Sequence, residues 1–426
     1  MRRRFATVSM LACILAALGL LAAPAALAAS DVAIVGTIVT PDGEPVAAVA
    51  VTATAEGFTE TATSGADGTF SLPLPQGGTY EVTIDEATLP AGVTLANPED
   101  ASRSILVLSG QKKILVKLSV GGETGEVDTG SGGGAGQIAQ LLVDGVLFGI
   151  LIALAAVGLN LIFGTTGLTN FSHGELLTLG AFTAIVLNEL GLNIIIAAPL
   201  AIVISAGLFG WGQNKLLWKP LRKRRTGLIA AMVVTIGLAI TLRYSILLLF
   251  GGSPRSYQQF AGQSGLEIGP VSVTPKSLIL AAIAAVAIVI TVLWLQRSRI
   301  GKATRAVSDN PALASATGID VERVISVVWT LGAGLAAFAG IYLGLTQDVS
   351  WNMGQRLLLV MFAAVTLGGL GTIYGAIVGA LVVGVFIQLS TLIIPTEMKT
   401  VGALFLMIII LLVRPQGILG RRERVG

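Results

Sequence analysis

The 426-residue chain has one cysteine, Cys13, and one histidine, His173. A single thiol forms no internal disulfide, and neither residue has the partner ligands that a metal site needs, so no metal is expected. A lone histidine builds no nucleophile–base constellation either, and the sequence offers no catalytic residues. No G-x-x-x-x-G-K-[ST] phosphate loop occurs, so any nucleotide chemistry must come from another chain. Charged residues make up only 12%, with a formal net charge of +3. That charge is too small and too scattered to form a nucleic-acid groove, and no nucleic-acid partner is expected. What the chain does have is apolar surface: 54% of its residues are hydrophobic, too many for a soluble domain of this length. It reads as a membrane protein.

The chain opens with MRRRFATVSMLACILAALGLLAAPAALAAS: three arginines, an apolar run, and small residues at Ala26-Leu27-Ala28. This pattern predicts a signal peptide over residues 1–29, the alternative being an uncleaved N-terminal helix. A lipoprotein site at Cys13 is disfavoured, because the apolar run continues past it. Residues 30–120 change character. Short alternating runs, VAIVGTIVT, VAVTATAEG, GTFSLPL and TYEVTID, are separated by PDGEP, GADG and PQGG. Period-two alternation between Gly, Pro and Asp turns predicts a small antiparallel all-β sandwich. Following a signal peptide, it should lie outside the cytoplasm. GGETGEVDTGSGGGAG, residues 121–136, reads as a flexible tether to the membrane part, 137–426.

A bilayer takes about 20 apolar residues per helix. The runs near 138–163, 173–190, 192–213, 228–250, 277–296, 323–345, 356–370, 373–393 and 398–414 predict about nine crossings of a polytopic all-α bundle. With the sandwich outside, KLLWKPLRKRR, RSRIGKATR and the C-terminal Arg421, Arg422 and Arg424 all fall on the cytoplasmic side. The poorly basic loops 251–275 and 346–355 fall outside. The expected location is a bacterial plasma membrane, multi-pass, with a cytoplasmic C-terminus. Small residues recur at four-residue spacing at Gly145, Gly149 and Ala153, at Gly332, Ala336, Gly340 and Gly344, and at Gly371, Gly375 and Gly379. Such stripes predict close helix packing.

One stretch, GLTNFSHGELLTLGAF (167–182), puts polar groups at membrane depth. Gly164-Thr165-Thr166-Gly167 predicts a broken helix, and irregular backbone at that depth is tolerated where it is buried in protein or lines water. Half-helix N-termini there attract a carboxylate. Asn170, Ser172 and His173 are therefore candidate substrate contacts, and Glu175 beside them is a further substrate-path candidate. For Ser172 and Glu175 the S-x-x-E spacing also predicts an ordinary capping box. Arg243, in the fourth crossing, is expected to snorkel to the interface.

Between the fifth and sixth crossings, Asp309-Asn310-Pro311 marks a helix start and Gly318 a stop. The short helix between them, rich in small residues such as Ala312 and Ala314, suits either a plain connection or docking into a groove on a cytoplasmic partner. RAVSDNPALASATGI resembles the EAA-type coupling segment of the branched-chain amino acid ABC permease family. Three more stretches match that family in order: GLNLIFGTTGLTNFSHGELLTLGAF, VTLGGLGTIYGAIVGALVVG and VRPQGILG. The resemblance spans residues 137–426, with a further match at Thr235-Ile236-Gly237-Leu238 that adds Thr235 to the substrate-path candidates. The N-terminal module resembles the carboxypeptidase regulatory-like, or transthyretin-like, sandwiches.

The resemblance implies an importer permease subunit without its own cofactor, ATP being used by two separate ATPase subunits. They would dock on the coupling segment 306–320, at Asp309, Asn310, Pro311, Ala312, Ala314 and Gly318. It also implies a second permease, homologous or a second copy, an external solute-binding protein, and membrane lipid around the bundle. The expected substrate is a branched-chain or related amino acid. The alternatives are urea or a short amide, an ATP-independent carrier, or a membrane sensor or scaffold that uses the external sandwich.

Overall fold

The computed structural model describes residues 32–39, 46–55, 58–66, 68–74, 78–85, 88–89, 102–107, 113–119, 135–257, 259, 265–392, 399–413 and 417–420. The stretches expected to be a signal peptide (1–29) and, nearly all of it, a tether (121–136) lie outside these residues. The chain divides into two compact units, one β and one helical.

The β unit has seven strands: β1 (Val32–Val39), β2 (Ala50–Ala55), β3 (Phe58–Thr63), β4 (Thr69–Leu74), β5 (Gly78–Ile84), β6 (Ser102–Val107) and β7 (Lys113–Ser119). They form two sheets, ordered β4-β1-β7 and β3-β2-β5-β6. Alternation sets the inner faces: Phe70 and Leu72 in β4 and Tyr80, Val82 and Ile84 in β5 are buried, whereas Ser71 and Glu81 between them are exposed. Ile34, Ile38, Val51 and Ala53 complete a core shared by both sheets. Ser64 is the polar pin of this core, donating to the Val46 carbonyl at 2.8 Å and accepting from the Val49 amide at 3.0 Å. The expectation of a purely antiparallel module needs one correction. β1 pairs antiparallel with β4 but parallel with β7, because the last strand returns to the first across the full length of the module.

The helical unit is built from α1 (Ala135–Thr166), α2 (His173–Glu189), α3 (Ile194–Lys223), α4 (Leu228–Phe250), α5 (Pro275–Arg297), α6 (Arg299–Asp309), α7 (Pro311–Ala316), α8 (Val321–Thr346), α9 (Met353–Gly368), α10 (Ile373–Ser390) and α11 (Lys399–Val413). Among the described residues, six helices are long and apolar enough to cross a membrane: α1, α3, α4, α5, α8 and α10. The helices α2, α9 and α11, at 17, 16 and 15 residues, are shorter. The apolar windows of α1 and α8 are 72% buried, against 22% for α4 and 28% for α5, so α1 and α8 form the middle of the unit. The second half of α3 is underwound into π-helix over Ala206–Gly212 and Asn214–Trp218. A short hairpin, β8 (Leu266–Ile268) with β9 (Val271–Val273), precedes α5.

The small-residue stripes are where backbones meet. A Cβ on Gly145 would lie 2.6 Å from Val385 Cα of α10, and one on Gly158 2.7 Å from the Gly332 carbonyl of α8. No side chain larger than hydrogen fits either crossing without displacing main chain. Gly371 departs from its expected stripe: it sits in the turn before α10 at φ +80°.

Two groups of loops mark opposite ends of the bundle. At one end Arg222, at the close of α3, forms a bidentate pair with Glu322 at the start of α8, both contacts at 3.0 Å. At the other end Arg255 pairs with Glu189 at 2.9 Å, and its backbone bridges to Val349. Ser256 there donates to Asp348 at 2.6 Å.

Candidate functional site

The break expected at Gly164 falls later. α1 runs through Gly164 to Thr166, and the Thr165 and Thr166 hydroxyls donate back to Leu161 and Ile162 carbonyls of their own helix. The chain turns at Gly167, whose φ of +65° is a conformation that only glycine adopts without strain. Residues 168–172 cross to α2 as irregular backbone held from inside. Asn170 Oδ1 accepts from both the Ser172 amide, 3.1 Å, and the Ser172 hydroxyl, 2.6 Å. Thr235 Oγ1 of α4 accepts from the Phe171 amide at 3.2 Å and donates to the Met232 carbonyl at 2.7 Å.

This arrangement overturns two expectations. Ser172 makes no side-chain cap on α2, because its hydroxyl is committed to Asn170. Glu175 does not reach back to complete a capping box either. Its Oε1 accepts from Arg243 Nε at 3.0 Å and Nη2 at 2.8 Å. Arg243 therefore does not snorkel: its side chain is 12% exposed and its carboxylate partner 1%. The physical reason is desolvation. An arginine at this depth with a carboxylate in reach lowers its energy more by pairing than by stretching toward an interface. A local S-x-x-E pattern cannot reveal a partner 68 residues away.

Asn170, Ser172, His173, Glu175 and Thr235 are thus brought together by α2, α4 and the loop between α1 and α2, and all five are fully buried. His173 Nε2 donates to the Ala155 carbonyl of α1 at 3.2 Å; since a carbonyl only accepts, Nε2 carries the hydrogen. Asn170 Nδ2, His173 Nδ1 and Glu175 Oε2 have no hydrogen-bond partner among the described residues. Buried polar atoms left unpaired cost about 1–3 kcal/mol each, so these three are the least satisfied groups of the knot. Three cavities of about 600, 730 and 480 Å³ in the helical unit are lined by other residues.

A second polar contact was not anticipated from sequence. Asn160 of α1 donates from Nδ2 to the Thr372 carbonyl at 2.6 Å and accepts the Gly371 amide on Oδ1 at 2.7 Å. It thereby holds the turn between α9 and α10. The segment 417–420 closes the same region, the Ile418 and Leu419 amides donating to the Leu367 and Gly368 carbonyls at 2.7 and 2.9 Å. Three stretches distant in sequence, GLNLIFG, TLGGLGTIYG and GILG, converge here. The sequence marked the three stretches as motifs and Asn160 as an isolated asparagine inside an apolar run, but not that they meet.

The segment 306–320 forms a capped elbow at the end of the bundle where Arg222 and Glu322 meet. Asp309 closes α6, an amphipathic helix missed in the sequence reading, and Asn310 is the cap of α7, its Oδ1 accepting the Leu313 amide at 3.0 Å. Gly318 ends the elbow at φ +87°, and Asp320 caps α8 by accepting the Arg323 amide at 3.0 Å. Ala314 is turned inward against Val307 and Val324, so it anchors the elbow. Pro311, Ala312 and Gly318 are exposed, and Leu313 presents 63% of its surface. A Cβ on Gly164 would lie 3.4 Å from Ser308 Oγ of α6, so the elbow abuts the end of α1 that leads into the polar loop.

A family model described as "Branched-chain amino acid transport system / permease component" matches residues 141–412, a range that contains the knot, the elbow and the contact of Asn160 with the 371–372 turn. The chain belongs to this permease family. It is 31% identical over 297 residues to the high-affinity branched-chain amino acid transport system permease protein LivH of Salmonella typhimurium, covering 67% of this chain and 96% of that one. It is also 31% identical over 300 residues to BraD, the corresponding permease protein of Pseudomonas aeruginosa, with the same coverages. Identity to the permease protein LivM of Escherichia coli is 25% over 314 residues, covering 66% of this chain and 71% of that one. A second model, "Carboxypeptidase regulatory-like domain", matches residues 33–102. The permease is accordingly a multi-pass membrane protein, and the two family models match separate stretches, 33–102 in the β unit and 141–412 in the helical unit.

Proposed function

We propose that the chain is the transmembrane permease subunit of an ABC importer for branched-chain amino acids, driven by two separate ATPase subunits. The observation that carries this reading is the match over 141–412 combined with an elbow that presents Leu313 outward from a rigidly capped α7. An exposed apolar side chain on a two-turn helix fixed at both ends is suited to transmit force from a docked protein. In this reading all nine long helices cross the membrane, with α2, α9 and α11 spanning as shorter, bundle-supported helices. The elbow and the Arg222–Glu322 end face the cytoplasm, together with the C-terminus, and the β unit stands outside behind a signal peptide. The greater identity to LivH than to LivM favours the LivH position in a pair of unlike permeases. A solute-binding protein delivers substrate from outside, and the tethered β unit raises its effective concentration near the pore.

Substrate passes close to Asn170 and His173, whose unpaired Nδ2 and Nδ1 atoms become available when the knot opens. Ser172, Glu175 and Thr235 hold the loop and the neighbouring helices in register. The chain itself carries out no chemical step. Uptake of labelled leucine against labelled urea tests the reading, using cells that express the chain with its ATPases, partner permease and binding protein. Leucine accumulation that stops when the ATPases are omitted supports it; accumulation of urea in place of leucine, or leucine uptake indifferent to the ATPases, overturns it.

A further inference from the structure

The cavities of about 600, 730 and 480 Å³ in the helical unit differ in chemistry. Those of about 600 and 480 Å³ are lined almost wholly by aliphatic and aromatic side chains, each with one cation and no carboxylate. The cavity of about 730 Å³ lies under the turn between α8 and α9 and carries both signs of charge, Asp348 and Arg356. Phe148, Trp351, Leu357 and Val360 give it an apolar wall. Its volume falls in the range of small-molecule sites, about 300–1,000 Å³. Among the described residues Arg356 forms no salt bridge and its side chain is exposed, on the first turn of α9, where the helix dipole also favours an anion. Asp348 accepts from the Ser256 hydroxyl and forms no salt bridge among the described residues.

A cation and an anion placed on one cavity without pairing to each other, beside an aliphatic wall, match one ligand class: a zwitterion with an apolar side chain. We propose that this cavity is the entry site for the free α-amino acid. Arg356 receives the α-carboxylate, Asp348 the α-ammonium, and Phe148, Leu357 and Val360 the branched alkyl group. Charged hydrogen bonds of this kind are the strong ones, and the guanidinium fork suits a carboxylate. A neutral solute such as urea would use neither charge. The inference deepens the importer reading and rests on it, because a cavity on the side of the 346–353 turn faces the incoming substrate only in the proposed topology.

The test is equilibrium binding of labelled L-leucine to the full chain in lipid nanodiscs. Unlabelled leucine, 4-methylpentanoate, which lacks the ammonium, and 3-methylbutylamine, which lacks the carboxylate, serve as competitors. Expected are saturable leucine binding, competition by each single-charge analogue weaker by about tenfold or more, and a loss of about tenfold or more in Arg356→Gln and in Asp348→Asn. Asp348→Asn keeps an acceptor for Ser256, so the turn should fold as before. Arg356→Lys should retain part of the affinity. Absence of leucine binding to the wild-type chain, or equal binding by all variants, overturns the proposal. Leucine uptake by cells then separates the two readings. If Arg356→Gln imports leucine at the wild-type rate with limiting binding protein, the entry site falls and the importer stands; if wild-type cells gain no leucine uptake, the importer reading falls.

Discussion

The knot around Glu175 and the elbow around Asn310 are both rich in short polar side chains, yet the structure uses them in opposite ways. In the knot, polar atoms face inward and are consumed by one another: Ser172 by Asn170, Glu175 by Arg243, Thr235 by the Phe171 amide. In the elbow, Asn310 and Asp320 are consumed by backbone amides, and an apolar group, Leu313, is left facing out. In the proposed importer the knot serves as a latch whose cost of opening is set by buried polar contacts, and the elbow as a rigid handle whose free face can be gripped.

Breaking the latch should have the largest effect on the folded state. Glu175→Gln and Arg243→Gln each leave an uncompensated partner, and each should destabilise the chain by about 3 kcal/mol. The double variant should recover part of that loss, measured as thermal unfolding of the purified chain in detergent. Singles no less stable than the double would show that the pair is not a unit. Next is the junction that fixes the far side of α1: Asn160→Leu strands the Thr372 carbonyl and the Gly371 amide and should cost about 2 kcal/mol by the same measurement. Removing the cap of the handle, Asn310→Ala, should cost about 1 kcal/mol, with faster amide exchange confined to 311–318. Leu313→Glu should change stability by less than about 0.5 kcal/mol, since the side chain is 63% exposed, while abolishing co-purification of the ATPases. If it instead unfolds the elbow, Leu313 is a packing residue and the contrast fails.

Much of this was legible in the sequence, for identifiable reasons. Each of the nine long apolar runs became a helix because charge or Gly and Pro clusters bound it on both sides, and the ends of α4 and α8 fell within two residues of expectation. Asn310, Pro311 and Gly318 were readable because capping, first-turn proline and positive-φ glycine are local signals. Partners distant in sequence were not readable. The S-x-x-E pattern suggested a cap because the pull of Arg243 on Glu175 exists only once α2 and α4 are side by side. The parallel pairing of β1 with β7 and the grip of Asn160 on the 371–372 turn are hidden for the same reason. The π-helical segments of α3 left no trace in the apolar pattern, because extra residues in a turn shift the faces of a helix that is hydrophobic on nearly all sides.

The central claim is that force applied at α7 drives leucine through the bundle. It is tested most directly by ATP-dependent accumulation of labelled leucine in proteoliposomes holding the chain, its partner permease, the ATPases and the binding protein, with wild type compared against Leu313→Glu. The account predicts accumulation with the wild type and none with the variant, although the variant chain remains folded in the membrane. Equal accumulation by both would contradict it.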